Sequence, residues 1–339
     1  MKRILVVGGG LIGMRHMQEV LDHPNCGLVG LVDPNTHIST PDSVVRFSQM
    51  EDVAEPVDGA IIATPTQLHA QHGAYAAARG WHILVEKPVA QNQSDAKALR
   101  DAVRQHGIGS LVGHHRRYHA PVKQLRNLLS QGEIGQIVNV SLIWAMRKPD
   151  AYFENNWRTA DGSPVMINLV HDLDVLRFVV GEIDQVAALR GGSVRQTDRL
   201  ESGAIAMTFA NGATGTISFA DTSPSPWGFE AGTGENPNIG TTGEDMLWIT
   251  GTRGAISFPS MTLWRGESWS TAAQKSPMLV LQNTHTPLRA QLDHFLEVID
   301  GATPLIDIND ASRTLDIALD IERQMSRQGQ ERAARTAPQ

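Results

Sequence analysis

The stretch ILVVGGGLIG at residues 4–13 decides the fold. A short apolar run predicts a buried strand, and the glycines that follow match the pattern G-x-G-x-x-G at the start of a helix. Gly8 would allow a tight turn, Gly10 would let a pyrophosphate approach the backbone, and Gly13 would let the helix pack on the strand. The pyrophosphate would bind the free N–H groups at the helix N-terminus. The cofactor-binding residues predicted here are Gly8, Gly10, Leu11, Ile12 and Gly13. A glycine-rich turn of another α/β protein is the alternative.

An acidic residue follows this motif at the expected distance. Asp33 comes 20 residues after Gly13, directly beyond the apolar run 28–32. Its carboxylate would accept hydrogen bonds from ribose hydroxyls and repel a 2′-phosphate, so the sequence favours NAD over NADP. NADP stays possible because Arg46 could fold back onto a phosphate.

Further apolar runs without alternation recur through the first 120 residues. They are separated by helix-length segments, which predicts a parallel sheet covered on both faces. We therefore predict a doubly wound α/β dinucleotide-binding domain over residues 1–120. The runs lie at residues 4–7, 28–32, 59–63, 82–85 and 110–113.

The pattern changes after residue 120, where several strand-like runs follow one another without intervening helices. This favours an α+β domain with an antiparallel or mixed sheet over residues 121–286. We expect the helical segment 287–327 to pack back near the first domain, and the polar tail 328–339 to be flexible. The strand-like runs lie near 183–190, 201–210, 212–220, 244–250 and 254–258.

Length and composition limit the class of protein. The 339 residues suit two domains, and 29 Lys+Arg against 36 Asp+Glu give a net charge of −7. Without a basic run, this charge argues against nucleic-acid binding. The single cysteine, Cys26, excludes a disulfide framework and a Cys-rich zinc site, so we predict no metal site and a reducing compartment. We also predict no membrane span. The N-terminal apolar run breaks at three glycines and lacks a cleavage site, which favours a cytoplasmic protein over a secreted one.

Two groups of polar residues are candidates for catalysis. Lys87, in Glu86-Lys87-Pro88, follows a predicted strand, and ligands bind at the carboxyl ends of such strands. Partial desolvation beside a positively charged nicotinamide would lower its pKa toward a range useful for proton transfer. His171 and Asp174 lie three apart on a predicted helix over 163–181, and Asn168 precedes His171 by three. Alternatively, Lys87 is a solvated surface lysine and His171 is a buried core residue without a catalytic role.

Four signatures in this order resemble the Gfo/Idh/MocA oxidoreductases, named for glucose–fructose oxidoreductase and inositol dehydrogenase. The resemblance implies a Rossmann domain and a second domain with an open, mostly antiparallel sheet. It also implies oxidation or reduction of sugars, cyclitols, polyols or related acids with a nicotinamide cofactor, and a homodimer or homotetramer formed through the open sheet. The signatures are Gly8–Gly13 with Arg15-His16, Ala63-Thr64-Pro65 with His69, Glu86-Lys87-Pro88, and Trp157-Arg158 with His171 and Asp174.

By motif position, the resemblance implies reversible hydride transfer. Lys87 would deprotonate the substrate hydroxyl and His171 would relay the proton, with Asn168 in place of an Asp that the family often has where Ile167 stands here. His115 stands where the family usually has Asn. The remaining residues implied to contact the cofactor are Thr64, Pro65, His69, Glu86, His115, Trp157 and Arg158.

Two features bear on the substrate. Arg116 and Arg117 could bind an anionic group, which would suit a sugar acid; alternatively they pair with acidic residues. The loop 222–243, with Trp227, is interpreted either as a lid or substrate wall or as a subunit contact.

Three other functions compete with a dehydrogenase. A regulator that binds the dinucleotide without turnover is disfavoured because Lys87 and His171 are present. A glycosidase that uses bound NAD for oxidation and elimination would produce no net NADH. A Rossmann methyltransferase is disfavoured because such enzymes usually lack Glu-Lys-Pro after a later strand.

Overall fold

The computed structural model describes residues 1–35, 37–153 and 162–336. The chain divides into two compact units. The N-terminal unit comprises Met1–Tyr118 and Thr284–Asp316, and the sheet unit comprises His119–Asn283 and Ile317–Gln339.

The N-terminal unit contains a six-stranded sheet in the order β3-β2-β1-β4-β5-β6, and all its strand pairs are parallel. This is the strand order of a Rossmann fold, which confirms the predicted doubly wound α/β class. The strands are β1 Lys2–Val7, β2 Cys26–Val32, β3 Arg46–Phe47, β4 Gly59–Ile62, β5 His82–Val85 and β6 Ser110–Val112. The helices between them are α1 Leu11–Leu21, α2 His69–Ala78 and α3 Gln93–His106.

The sheet unit contains an eight-stranded sheet in the order β14-β13-β12-β11-β7-β10-β9-β8. Only the β7–β10 pair is parallel among these described strands, which confirms the expected mostly antiparallel sheet. The strands are β7 Ile137–Ala145, β8 Ile183–Arg190, β9 Ser202–Phe209, β10 Thr214–Ala220, β11 Leu247–Gly251, β12 Gly254–Phe258, β13 Thr262–Arg265 and β14 Gln274–Pro277. Its helices are α4 Ala120–Ser130, α5 Val170–Val179 and α6 Phe229–Thr233.

Alternation along β9 and β10 gives this sheet two different faces. Ile205 and Met207 are buried in the core, whereas Ala204 and Ala206 between them are exposed. Because side chains of a strand alternate between faces, the large apolar residues already lie inside. The opposite face therefore exposes mainly small and hydroxyl side chains, which on these two strands are Ala204, Ala206, Thr208, Thr214, Thr216 and Ser218.

The segment 222–243 is more structured than the loop that the sequence predicts. It contains α6, and the ring of Phe229 is fully buried 5.6 Å from the ring of Phe258. Trp227 remains 39% exposed, while its carbonyl accepts a 2.8 Å hydrogen bond from the N–H of Ala145. The lid and subunit-contact interpretations both remain predictions.

Two helices close the chain, α7 Pro287–Ile299 and α8 Ile308–Thr336. Helix α7 belongs to the N-terminal unit, where a Cβ added to Gly59 of β4 would lie 2.8 Å from Ile299. Such close packing explains why the strand has glycine there. No helix among the described residues is both long and apolar enough to span a membrane.

Helix α8 includes the first part of the predicted tail 328–339. It continues as far as Thr336, and Gln324 and Gln328 bind the edge of β8. The Gln328 amide accepts from the N–H of Arg190 at 2.8 Å and donates to the carbonyl of Ala188 at 2.7 Å. Gln324 does the same with the N–H of Ala188 and the carbonyl of Val186. Residues four apart share a helix face, so these amides satisfy an edge that would otherwise need a neighbouring strand.

Candidate active site

The glycine loop has the close contacts that its motif predicts. Gly8 has a φ of +101°, and a Cβ added there would lie 2.6 Å from the carbonyl oxygen of Ala63. A Cβ added to Gly13 would lie 1.9 Å from the carbonyl oxygen of Gly8. Glycine is therefore required at both positions, and α1 begins directly against the loop.

Gly10 differs from these two glycines because no described atom lies within 4 Å of a Cβ added there. Gly10 is the N-cap of α1, and no side chain caps this end of the helix. Backbone N–H groups at an uncapped helix N-terminus form an anion-binding site. The loop therefore fits the pyrophosphate of a dinucleotide, with Leu11 and Ile12 in the first turn.

Asp33 is held at the same loop by two backbone donors. Its carboxylate accepts hydrogen bonds from the N–H of Gly9 at 2.7 Å and from the N–H of Asn35 at 2.8 Å. Arg46 donates to the carbonyl of Asn35 at 3.1 Å, so its guanidinium contacts the loop that follows Asp33. A carboxylate oriented in this way, each oxygen keeping a further lone pair, fits the two hydroxyls of a ribose.

Glu86, which directly precedes Lys87, forms a buried hydrogen bond with His16. Its Oε1 lies 2.9 Å from Nε2 of His16 on α1, and its Oε2 accepts the N–H of Lys87 at 3.1 Å. Burial favours the neutral acid, but the His16 hydrogen bond and the charges of His16, His115 and Lys87 outweigh it and lower the pKa of Glu86 to about 2. The predicted contact of Glu86 with a ribose stays a prediction, because the partners observed here are protein groups.

His69 is also engaged by protein groups. Its Nε2 lies 2.8 Å from the carbonyl oxygen of Thr64, and its Nδ1 lies 2.9 Å from that of Pro88. Burial lowers the pKa of His69. The ring thus links the turn after β4 to the segment carrying Lys87, which is half-buried. Pro65 is exposed at that turn. The predicted cofactor contacts of Thr64, Pro65 and His69 are untested.

The two arginines that follow β6 are both buried. Arg117 is 4% exposed, and its guanidinium lies 2.6 Å from the Asp310 carboxylate and 3.3 Å from the carbonyl of Leu305. Arg117 therefore pairs with an acid, as the alternative expected, and its predicted substrate contact stays a prediction. Arg116 is 2% exposed, and His115 is half-buried. Their predicted contacts with substrate and cofactor remain untested.

The helix that carries His171 has an irregular start. Residues Val165–Leu169 form a π-helical turn ahead of α5, and such turns occur frequently at functional sites. His171 is 7% exposed, and Asp174 is buried 4.0 Å from Arg177. Asn168 lies in the π turn, where its Oδ1 accepts a 2.7 Å hydrogen bond from Nζ of Lys148.

Lys148 was not predicted from the sequence, although it lies only three residues beyond the end of β7. It also missed His16 as the partner of Glu86, because 70 residues separate them. Trp157 and Arg158, predicted to close over cofactor or substrate, lie outside the described residues.

Comparison with known families agrees with this geometry. Residues 2–114 match the oxidoreductase family model with an NAD-binding Rossmann fold, and residues 122–257 match the GFO/IDH/MocA C-terminal domain. The chain belongs to the Gfo/Idh/MocA family. Its N-terminal unit thus has the NAD-binding Rossmann fold of this family.

Several curated relatives are named dehydrogenases or oxidoreductases. The chain is 25% identical over 334 residues to scyllo-inositol 2-dehydrogenase (NAD(+)) of Bacillus subtilis, covering 94% of this chain and 92% of the relative. It is 29% identical over 226 residues to the uncharacterized oxidoreductase YrbE of the same organism, covering 62% and 65%. With glucose-6-phosphate 3-dehydrogenase, also of that organism, the identity is 25% and the coverage 52% and 51%. The chain therefore spans only about half to two thirds of some of these relatives.

Solved structures of the family share the whole fold. The WlbA dehydrogenase of Bordetella pertussis, in complex with NADH and UDP-GlcNAcA, superposes with a TM-score of 0.77 at 20% identity, covering 97% of this chain and 96% of that one. The aldose-aldose oxidoreductase of Caulobacter crescentus gives a TM-score of 0.76 at 19% identity, with coverages of 97% and 98%. At this identity the likeness establishes the fold.

Proposed function

We propose that this protein is an NAD-dependent dehydrogenase acting on a secondary hydroxyl or ketone of a sugar, cyclitol, polyol or related acid. The observation that carries the proposal is the glycine loop with Asp33, a dinucleotide cradle joined through the His16–Glu86 pair to Lys87. The names of the family relatives support the reaction class.

Asp33 is the proposed determinant of cofactor choice. Its carboxylate would accept the ribose hydroxyls and would repel a 2′-phosphate at the same place. The nearby Arg46 donates to a backbone carbonyl of the loop. Because the Asp33 carboxylate repels a 2′-phosphate, we expect NADP to bind more weakly than NAD. We assign the pyrophosphate to the first turn of α1.

In the proposed reaction Lys87 takes the proton of the substrate hydroxyl, and His171 accepts or shares that proton. The bound nicotinamide supplies the hydride acceptor. Lys87 can hold the hydroxyl in place because its backbone N–H is fixed by Glu86 and the next residue is anchored by His69. Holding the reacting groups in one geometry supplies much of the acceleration in such reactions.

The test is a screen for reduction of NAD and NADP with neutral polyols, sugars and their acid counterparts. With an active substrate, Lys87→Ala should lower kcat by about 10²–10⁴-fold, the usual contribution of acid–base assistance, with a small change in KM. Lys97→Ala, at an exposed lysine of α3, is the matched control and should keep wild-type turnover.

Three outcomes would contradict the proposal. A near-normal kcat in Lys87→Ala would show that Lys87 does not transfer the proton. Consumption of a glycoside without net NADH formation would favour the oxidation–elimination glycosidase, and NADH binding without turnover of any substrate would favour a regulator.

We also propose that the protein forms a homodimer or homotetramer through the exposed face of the eight-stranded sheet. The small side chains on β9 and β10 would let two such faces approach closely. Thr216→Arg should reduce the mass measured by light scattering to that of a monomer. A wild-type protein that is monomeric at micromolar concentration would refute this assembly.

A further inference from the structure

Ser163 caps the irregular helical segment that leads into α5. Its Oγ accepts hydrogen bonds from the N–H groups of Val165 at 3.1 Å and Met166 at 3.2 Å. Its carbonyl oxygen accepts the N–H of Ile167 at 3.0 Å. Pro164, where the helical backbone begins, has no N–H to satisfy. Ser163 therefore satisfies the backbone donors of the first turn, as an N-cap residue does.

A carboxylate from α8 holds the same hydroxyl. Ser163 donates its hydroxyl proton to Oε1 of Glu322, so Oγ uses its donor and both of its lone pairs. Glu322 is half-buried, and burial raises its pKa although the Ser163 hydrogen bond opposes that shift. Gln324 and Gln328, on the same stretch of α8, bind the edge of β8. The carboxylate therefore extends from a backbone that the sheet unit already fixes.

The π turn Val165–Leu169 separates this cap from His171. A π turn closes its hydrogen bonds over one more residue than an α-helix does, and it is rare. Two contacts hold it here, Ser163 at its start and Lys148, whose Nζ donates to Oδ1 of Asn168 at 2.7 Å. If the start were released, the turn would be free to rewind toward α-helical pairing, and Asn168 and His171 would shift against each other.

Helix α7 of the N-terminal unit has a cap of the same construction. Thr286 is its N-cap, and the Oγ1 atom accepts the N–H of Arg289 at 3.1 Å and donates to Oε1 of Glu19 at 2.6 Å. Pro287 follows Thr286, just as a proline follows Ser163. Because α7 carries none of the proposed reacting residues, its cap offers a direct comparison for the one at Ser163.

We propose that Ser163 and Glu322 are positioning residues of the reaction, which fix the helix start so that His171 stays where it receives the proton. Ser163 acts directly on the helix, and Glu322 acts through Ser163. The C-terminal helix α8 thereby takes part in ordering the proposed proton relay. This inference rests on the proposed function, because it takes His171 as that relay.

The first experiment removes each member of the cap. With the substrate found in the NADH screen, Ser163→Ala and Glu322→Ala should each lower kcat by about 10- to 100-fold, since a displacement of about 1 Å can cost that much. The Kd for NADH, from fluorescence titration, should match wild type, because the glycine loop belongs to the N-terminal unit. The double variant should lose no more than Ser163→Ala alone, because the two residues act in one path.

Conservative variants should restore most of the lost turnover. In Glu322→Gln the amide oxygen still accepts the Ser163 hydroxyl, and burial already disfavours the charge that this change removes. In Ser163→Thr a capping hydroxyl remains. Both variants should therefore have a kcat much closer to wild type than the corresponding alanine variants.

Thr286→Ala is the matched control. It removes an equivalent cap, so its melting temperature should fall about as far as that of Ser163→Ala, by about 2–4 °C, while its kcat stays that of wild type. All rates are measured well below the lowest melting temperature, where every variant is folded. Hydrogen exchange read by mass spectrometry should show faster exchange over residues 165–171 in Ser163→Ala and Glu322→Ala, and not in Thr286→Ala.

Equal losses of kcat in Ser163→Ala and Thr286→Ala would overturn the proposal and indicate general destabilisation. The proposed function fails differently: the wild type would form no NADH from any sugar or polyol, and that outcome rejects both. Turnover that Lys87→Ala abolishes but Ser163→Ala leaves unchanged would keep the function and reject the positioning role.

Discussion

The carboxylate of Glu86 lies 2.9 Å from Nε2 of His16, and both side chains are at most 5% exposed. This pair joins the helix that follows the glycine loop to the residue that precedes Lys87. Gly113 makes room for it, because a Cβ there would lie 2.8 Å from the Glu86 carboxyl. This buried pair therefore connects helix α1, which follows the glycine loop, with the segment that carries Lys87.

Removing the charge of Glu86 should make the protein less stable and change its response to acid. Because its pKa is lowered from 4.5 to about 2 on folding, its charge stabilises the native state above about pH 4.5, and that contribution is lost as the pH falls toward 2. Glu86→Gln should lower the free energy of unfolding by about 1–3 kcal/mol at pH 7, as for a lost charged hydrogen bond. Urea unfolding at pH 7 and pH 3 measures the difference.

Glu55→Gln, at an exposed glutamate, is the control and should leave the free energy of unfolding almost unchanged. If the gap between wild type and Glu86→Gln were as large at pH 3 as at pH 7 or larger, the charge of Glu86 would not be the source of the stability.

Gly10 and Gly13 should respond differently to the same added methyl group. Gly13→Ala meets the Gly8 carbonyl at 1.9 Å and should lower the free energy of unfolding by about 1–3 kcal/mol through overpacking. Gly10→Ala has open space around its Cβ, so its melting temperature should match wild type while NADH binding weakens at least about tenfold, since the pyrophosphate needs that space. Thermal unfolding and NADH fluorescence titration separate the two effects.

Gly192→Ala, in the sheet unit, also has no described atom within 4 Å of its Cβ and is the control for both measurements. Normal NADH affinity in Gly10→Ala would show that the pyrophosphate binds elsewhere.

Asp33→Ser should change the choice of cofactor. The variant loses the carboxylate that would bind the ribose hydroxyls and repel a 2′-phosphate, so kcat/KM with NADP relative to NAD should rise by about 10- to 100-fold. Initial rates with both cofactors measure the ratio. Asp42→Asn, at an exposed aspartate, should leave the ratio unchanged. If the ratio were unchanged in Asp33→Ser, the Asp33 carboxylate would not determine which cofactor is used.

Arg117 and Asp310 should behave as a structural pair. Arg117→Met and Asp310→Asn should each lower the free energy of unfolding by about 1.5–3 kcal/mol, because each removes a charged hydrogen bond of the buried Arg117 guanidinium. The double variant should lose less than the sum of the two. A large increase in KM for acidic substrates in Arg117→Met, without loss of stability, would instead show that Arg117 binds an anionic substrate group.

Local chemistry explains which features could be predicted. The glycine loop and Asp33 are recognisable because a turn, a helix start and a strand end require particular residues at fixed spacing. Continuous apolar runs likewise predict a parallel sheet. The basic residues after β6 were ambiguous for the opposite reason, because the partner of Arg117 lies 193 residues away.

By itself, the sequence determined the Rossmann unit, its cofactor loop and the position of Lys87 at a strand end. Only the tertiary structure decided that Glu86 pairs with His16, that Lys148 meets Asn168 at a π turn, and that Gln328 binds a strand edge. Each of these contacts joins residues distant along the chain. Such contacts depend on how the chain packs in three dimensions. The spacing of residues along the sequence therefore does not predict which side chains meet.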